Sequence, residues 1–242
     1  MMHAIVAAHN WEVARHDVPY RWARVSELFI ASVAADLAVT FPAQYFREVA
    51  GDDGEKSWRY YGRPLVAMDG RVISAASLSP SWDLLAHDLL SEEYRSAISS
   101  VAGVDLGETR VEVNAFRYGP GTWLGPHCDL REKLVTHVLY FNPRWDDPGG
   151  CFQVLGSSSA HDVVATIPPV VGTSSLIVRS DRSWHAVSPV ADHYAGSRHS
   201  VTVTFYAPGS VSTMWPPGAR FEWLEFDGER TRAMVAPETI NW

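Results

Sequence analysis

From Gly107 onward, short β-branched and aromatic runs alternate with turns rich in Gly, Pro, Asn and Asp. The runs are Arg110–Tyr118, Thr122–Asp129, Leu134–Phe141, Phe152–Leu155, Val163–Ile167, Ser174–Val178, Trp184–Val187 and Ser200–Tyr206. Successive side chains of a strand point to opposite faces, so such runs read as strands. Their close spacing predicts an antiparallel sandwich or jelly roll and argues against βαβ units. The first third has a different texture. Between Tyr20 and Thr40, apolar Trp22, Val25, Leu28, Phe29, Val33, Leu37 and Val39 recur at roughly helical spacing. Ser81 before Trp82-Asp83 and Ser91 before Glu92-Glu93-Tyr94 are predicted N-caps with acidic first turns, and Gly103 suits the end of the second helix. The tail Ser210–Trp242, rich in Pro and Trp, predicts an irregular cover over the strands.

Composition narrows the class. The chain has 242 residues, of which 46% are hydrophobic, enough for one substantial core, so residues 1–242 are expected to form a single domain. Within it, 1–106 is read as helical support and site cover, 107–209 as the jelly-roll core and 210–242 as the C-terminal cover. Lys and Arg number 20 against 28 Asp and Glu, without a basic run, which disfavours nucleic acid as a partner. No apolar run approaches the roughly 20 residues of a membrane helix. Met1–Ala8 lacks the features of a secretory leader. The only cysteines are Cys128 and Cys151, too few for a disulfide framework or a thiolate zinc site. The expectation is a soluble protein of a reducing cytoplasm.

The candidate chemistry lies at His127-Cys128-Asp129. On a strand, residues 127 and 129 share a face and Cys128 faces away, which makes an imidazole and a carboxylate neighbours. His-x-Asp alone is common in surface turns, so a third ligand has to come from another strand, and His185 is the best placed. Two histidines and one carboxylate on one face leave the opposite coordination positions open, which is the donor set of iron(II) oxygenases. Arg198 strengthens the reading. It shares a face with Ser200 and Thr202 in an otherwise apolar strand, and a buried guanidinium is costly without a partner. A dicarboxylate ligand would supply that partner through bidentate hydrogen bonds. Tyr140, on a neighbouring strand, offers a phenol to the same carboxylate.

In the order and spacing of Tyr118-Gly119-Pro120-Gly121, His127-x-Asp129, Tyr140-Phe141-Asn142, the Trp145–Gly150 turn, Trp184-His185-Ala186-Val187 and Arg198-x-Ser200, the chain resembles the prolyl 4-hydroxylase-like branch of the 2-oxoglutarate- and iron(II)-dependent dioxygenases. The resemblance spans about Val111 to Tyr206. It implies an α+β fold, a double-stranded β-helix (jelly roll) with an N-terminal helical layer. It implies that His127, Asp129 and His185 bind Fe(II), that Arg198 and Tyr140 hold 2-oxoglutarate, and that Ser200, Tyr118 and Thr202 belong to the same pocket. O2 is the further co-substrate. The implied reaction is hydroxylation of an unactivated C–H bond in a small metabolite or amino-acid-derived substrate. Alternatives are a peptidyl prolyl substrate, or a non-catalytic jelly-roll binding or metal module. His137 and His199 are expected to be core or rim residues, Cys128 a packing residue, and Trp58–Arg63 either a cap on the roll's mouth or packing for the helical layer.

Overall fold

The computed structural model describes residues 3–53 and 57–234. In chain order its main elements are β1 (Glu12–His16), β2 (Trp22–Ser26), α1 (Ala31–Val39), β3 (Arg47–Asp52), β4 (Ser57–Val66), α2 (Pro80–Asp88), α3 (Glu92–Ala102), β5 (Arg110–Tyr118), β6 (Trp123–His127), β7 (Lys133–Tyr140), β8 (Phe152–Leu155), β9 (Val163–Ile167), β10 (Ser174–Val178), β11 (His185–Val187), β12 (Arg198–Tyr206), β13 (Leu224–Asp227) and β14 (Arg230–Ala233). Four of the strands expected from the alternating pattern, β5, β8, β9 and β10, have the bounds read from sequence.

The strands hydrogen-bond in the order β1-β2-β10-β7-β12-β5-β4-β6-β11-β8-β9, with β3 beside β4. β4 turns the corner. Its later residues, Tyr61 to Val66, pair with β5, while Trp58 and Arg59 pair with Leu124 and Trp123 of β6. One strand therefore joins two layers, β10-β7-β12-β5 and β6-β11-β8-β9, into a curled, mostly antiparallel jelly roll. Along β12 the alternation is complete. Val201, Val203 and Phe205 enter the main core, where they meet Leu37, Trp82, Leu85, Ile98 and Val101 of the three helices. Arg198, Ser200, Thr202, Thr204 and Tyr206 face the inside of the roll. Burying side chains of this size contributes about 1.5–3 kcal/mol each, so the helical layer fixes which face of the strand turns inward.

The N-terminal third holds more strand than its apolar spacing predicts. Over Tyr20–Thr40 the helical expectation is corrected: Trp22–Ser26 is a strand paired with β10, Glu27 takes a positive φ of 60°, and the helix begins only at Ala31. Val25, Leu28, Phe29 and Leu37 all enter one core, so a strand, a turn and a helix together mimic a single helical stripe. The cap at Ser81 moves to Ser79, whose side chain accepts from the Trp82 amide while Pro80 takes the first helical position. The Ser91 cap accepts from the Tyr94 amide, and Gly103 ends α3 with φ of 62°, a conformation that glycine adopts without strain. Trp58–Arg63 lies within β4. The expected irregular tail carries a hairpin, β13-β14, and its Trp215 and Trp223 are buried; Trp242 lies outside the described residues. No described helix is long and apolar enough to cross a membrane.

Candidate active site

His127 closes β6 and His185 opens β11, and the two residues stand directly opposite in the antiparallel register. Opposed residues on one face have Cβ atoms about 5 Å apart, and here the ring centroids are 4.2 Å apart. Each ring is oriented by a backbone carbonyl. Nδ1 of His127 is 2.9 Å from the oxygen of Gly125, and Nδ1 of His185 is 2.8 Å from that of Ser183. With Nδ1–H donating in this way, Nε2 is the nitrogen of each ring suited to ligate a metal. Asp129 completes the cluster, and one ligand atom from each of the three residues lies within 4.8 Å of the others.

Strand alternation does not hold Asp129 in place. β6 stops at His127, so Asp129 lies in the turn beyond it, and Cys128 forms part of the cavity wall. What positions the carboxylate is β7. Thr136 Oγ1 donates to Oδ2 at 2.8 Å and Lys133 Nζ donates to Oδ1 at 2.7 Å. Burial alone would raise the Asp129 carboxyl. Lys133 and the two imidazoles override burial and hold the group well below the ordinary carboxylate range. Asp147, further along the chain, accepts from the Gly149 and Ala191 amides and clamps the loop after β7.

The triad opens on a cavity of about 380 Å³. Arg198, Ser200 and Thr202 of β12 and Tyr118 of β5 all line it, as their common face predicts. Arg198 is 1% exposed and lies beneath two rings, 4.9 Å from the centroid of Tyr118 and 5.4 Å from that of Tyr140. Its Nη1 donates to Ser200 Oγ at 2.6 Å, while Nε is buried without a hydrogen-bond partner. Tyr140 is wholly buried behind this wall, its hydroxyl 2.7 Å from Ser175 Oγ. Burial pushes its phenol up to about 12, against the pull of Arg198. It therefore stays protonated and able to donate.

Several wall residues were not singled out by sequence. Arg47 comes from β3, and Glu112 and Asn114 from β5, whereas Tyr60 of β4 belongs to the Trp58–Arg63 stretch expected either to cap the roll's mouth or to pack the helical layer. Glu112 accepts from Asn114 Nδ2 at 3.1 Å, and Trp215 Nε1 donates to Asn114 Oδ1 at 2.7 Å, which ties the tail to the cavity wall. The alternation of β5 could have revealed Glu112 and Asn114, since both share a face with Tyr118; nothing local marks Arg47. His137 bonds Tyr94 and Ser174 in the core, and His199 stacks on Phe41, both away from the metal cluster as expected.

Residues 113–206, from β5 through β12, match the profile of the 2OG-Fe(II) oxygenase superfamily. No curated protein matches the chain in sequence. Among solved structures the fold is similar to that of an oxidoreductase of the 2OG-Fe(II) oxygenase family from Burkholderia pseudomallei, with a TM-score of 0.52 and 15% identity over 74% of this chain and 80% of that one. A Pseudomonas putida prolyl-4-hydroxylase aligns with a TM-score of 0.49 and 20% identity over 78% of this chain and 93% of that one. A Trichoplax adhaerens prolyl hydroxylase, solved with a hypoxia-inducible-factor peptide fragment, aligns with a TM-score of 0.49 and 17% identity over 76% and 83%. The profile match encloses the His-Asp-His cluster and the strands that hold it, so the chain carries a 2OG-Fe(II) oxygenase domain and is a dioxygenase with iron(II), 2-oxoglutarate and O2 as its cofactors.

Proposed function

We propose that this dioxygenase hydroxylates a small metabolite or amino-acid-derived substrate, with His127, Asp129 and His185 as the iron ligands and Arg198 as the anchor of 2-oxoglutarate. The observation that carries the co-substrate pocket is the Arg198 guanidinium. It is buried and neutralised by no carboxylate among the described residues, and it lines the cavity onto which the triad opens. A dicarboxylate with one end at the metal and the other at Arg198 would satisfy both. Ser200 presets the guanidinium, Tyr118 and Tyr140 cover its faces, and Thr202 continues the polar wall. Bound iron(II), with 2-oxoglutarate and O2, supplies the oxidising power to replace a C–H hydrogen with hydroxyl, releasing succinate and CO2. The chain's own work is to fix the carboxylate and imidazoles, hold the distal carboxylate and keep water from the reacting centre.

Cavity size favours a small substrate. Ligand sites typically measure about 300–1,000 Å³, and this one, near the lower end, has to hold the co-substrate as well. Free Cys128 and Cys151 fit a reducing cytoplasm. Treating residues 1–242 as one unit is supported by the strands before residue 107 sharing a sheet with those after it.

The test is titration of the anaerobic iron(II) protein with 2-oxoglutarate, followed by the metal-to-ligand charge-transfer band. A charge-assisted hydrogen bond is worth roughly 1.5–3 kcal/mol, so Arg198→Ala should weaken 2-oxoglutarate by about ten- to a hundred-fold or more. Arg198→Lys should fall between, and Tyr140→Phe should cost less than either. Equal affinity in wild type and Arg198→Ala would refute the pocket.

A further inference from the structure

Three cations stand on the cavity wall: Lys133, Arg198 and Arg47. Lys133 is bonded to Asp129, and Arg198 is assigned above to the co-substrate. Arg47 remains. It lies on β3 opposite Gly62 of β4. Its guanidinium carbon is 4.8 Å from the centroid of the Trp215 ring and 4.4 Å from that of Phe221. Nη2 donates to the Met214 carbonyl at 2.8 Å, and Nε is buried without a hydrogen-bond partner. Among the described residues it makes no ion pair, and the one ionisable side chain influencing it is the Tyr60 phenol. The rings orient this charge and supply about 0.5–2 kcal/mol of cation–π attraction, but they do not neutralise it.

We infer that Arg47 anchors a carboxylate of the primary substrate, which is therefore a small carboxylic acid, the free amino acids included. This rests on the oxygenase reading proposed above. A carboxylate suits the site better than a phosphate. One planar guanidinium matches a carboxylate in bidentate fashion, whereas a dianion would call on further cations, and the other two on this wall are committed. Cross-strand pairing puts Arg47 in one row with Gly62, Phe116 and Ser200. Three strand spacings, roughly 14 Å along the sheet, therefore separate the Arg47 backbone from the Ser200 strand that carries Arg198. That separation gives the cavity two anion anchors on different strands, one for the co-substrate and one for the substrate.

A purely structural role for Arg47, clamping the tail through Met214, Trp215 and Phe221, makes a different forecast, and the experiment separates the two. The protein loaded with manganese(II) and 2-oxoglutarate without O2 is titrated calorimetrically with the proteinogenic L-amino acids and short mono- and dicarboxylic acids, each beside its primary amide. The iron(II) enzyme is assayed for succinate release first without any addition, then with the same compounds. We expect at least one acid to bind and to stimulate succinate release, with its amide at least ten-fold weaker. Arg47→Met should bring the acid-to-amide ratio close to one while leaving 2-oxoglutarate affinity unchanged, and Arg47→Lys should keep part of the preference. An unchanged ratio in Arg47→Met overturns the anchor. So does a parallel loss of every ligand with a lowered melting temperature, which would mark a clamp, or a loss of 2-oxoglutarate affinity, which would assign Arg47 to the co-substrate. If no acid binds while succinate is still released without addition, the anchor fails and the oxygenase reading stands. If 2-oxoglutarate neither binds nor turns over, the oxygenase reading fails and takes the anchor with it.

Discussion

Thr136 and Lys133 each hold one oxygen of Asp129, and between them they fix the direction in which the carboxylate presents its lone pairs. Thr136→Val keeps the shape but removes one donor from a buried acceptor. Outer partners of metal ligands typically matter about 10–100-fold, so iron(II) affinity in Thr136→Val should fall by that factor with 2-oxoglutarate omitted. Anaerobic metal titration reads it, and unchanged affinity would show that Lys133 alone positions the ligand. His127→Ala or His185→Ala should abolish turnover with the fold retained, since each removes one of the three proposed ligands; circular dichroism and succinate assays check both halves. At this scale the sequence was informative because spacing and residue type coincide: His127, Asp129, His185 and Arg198 are residues whose burial demands a partner. Thr136 and Arg47 escaped notice because a threonine in a strand and an arginine in a polar stretch are ordinary until their neighbours across the sheet are known.

Strand boundaries were legible where β-branched residues run between Gly and Pro turns, as in β5 and β8 to β10. They were illegible over Trp22–Val39, where a strand and a helix feed one core and their apolar positions merge into a single apparent period. Contacts between elements lay beyond sequence altogether. His137 is the clearest case, joining α3 through Tyr94 at 2.6 Å and β10 through Ser174 at 2.7 Å from its place on β7. Burial pushes its imidazole down to about 3 in the folded protein, against roughly 6.5 when unfolded. Below about pH 6.5 the unfolded chain binds the extra proton, so the stability contributed by neutral His137 is complete above that pH. It is lost as the pH falls toward 3, at about 1.4 kcal/mol per unit. Urea unfolding at pH 7 and pH 5.5 should show wild type losing roughly that much more than His137→Gln. The variant itself should be less stable at pH 7, because Tyr94 and Ser174 lose their shared partner. Parallel pH profiles for the two proteins would contradict a neutral buried imidazole.

For the molecule as a whole, metal and co-substrate should act in sequence. Any ligand that binds only the folded state adds RT ln(1 + [L]/Kd), about 2.7 kcal/mol at a hundred-fold excess over Kd. For a chain of this size that is a rise of roughly 5–10 °C in melting temperature. Manganese(II) as a redox-inert substitute should produce such a rise, and 2-oxoglutarate should add to it only when metal is present; His185→Ala should show neither. An equal 2-oxoglutarate shift without metal would argue against chelation at the triad. The double pairing of β4 has a consequence for anyone dissecting the protein. Residues 113–206 contain the three proposed metal ligands and Arg198, yet the strand that closes the roll, Ser57–Val66, lies outside them. An excised fragment of the matched region would have an open seam along β5 and β6 where β4 is lost and along β10 where β2 is lost, three unpaired edges of the kind that recruit other chains. It should aggregate when expressed alone and should recover solubility only when segments carrying β2 and β4 are supplied with it. The minimal folding unit is thus larger than the stretch that announces the chemistry.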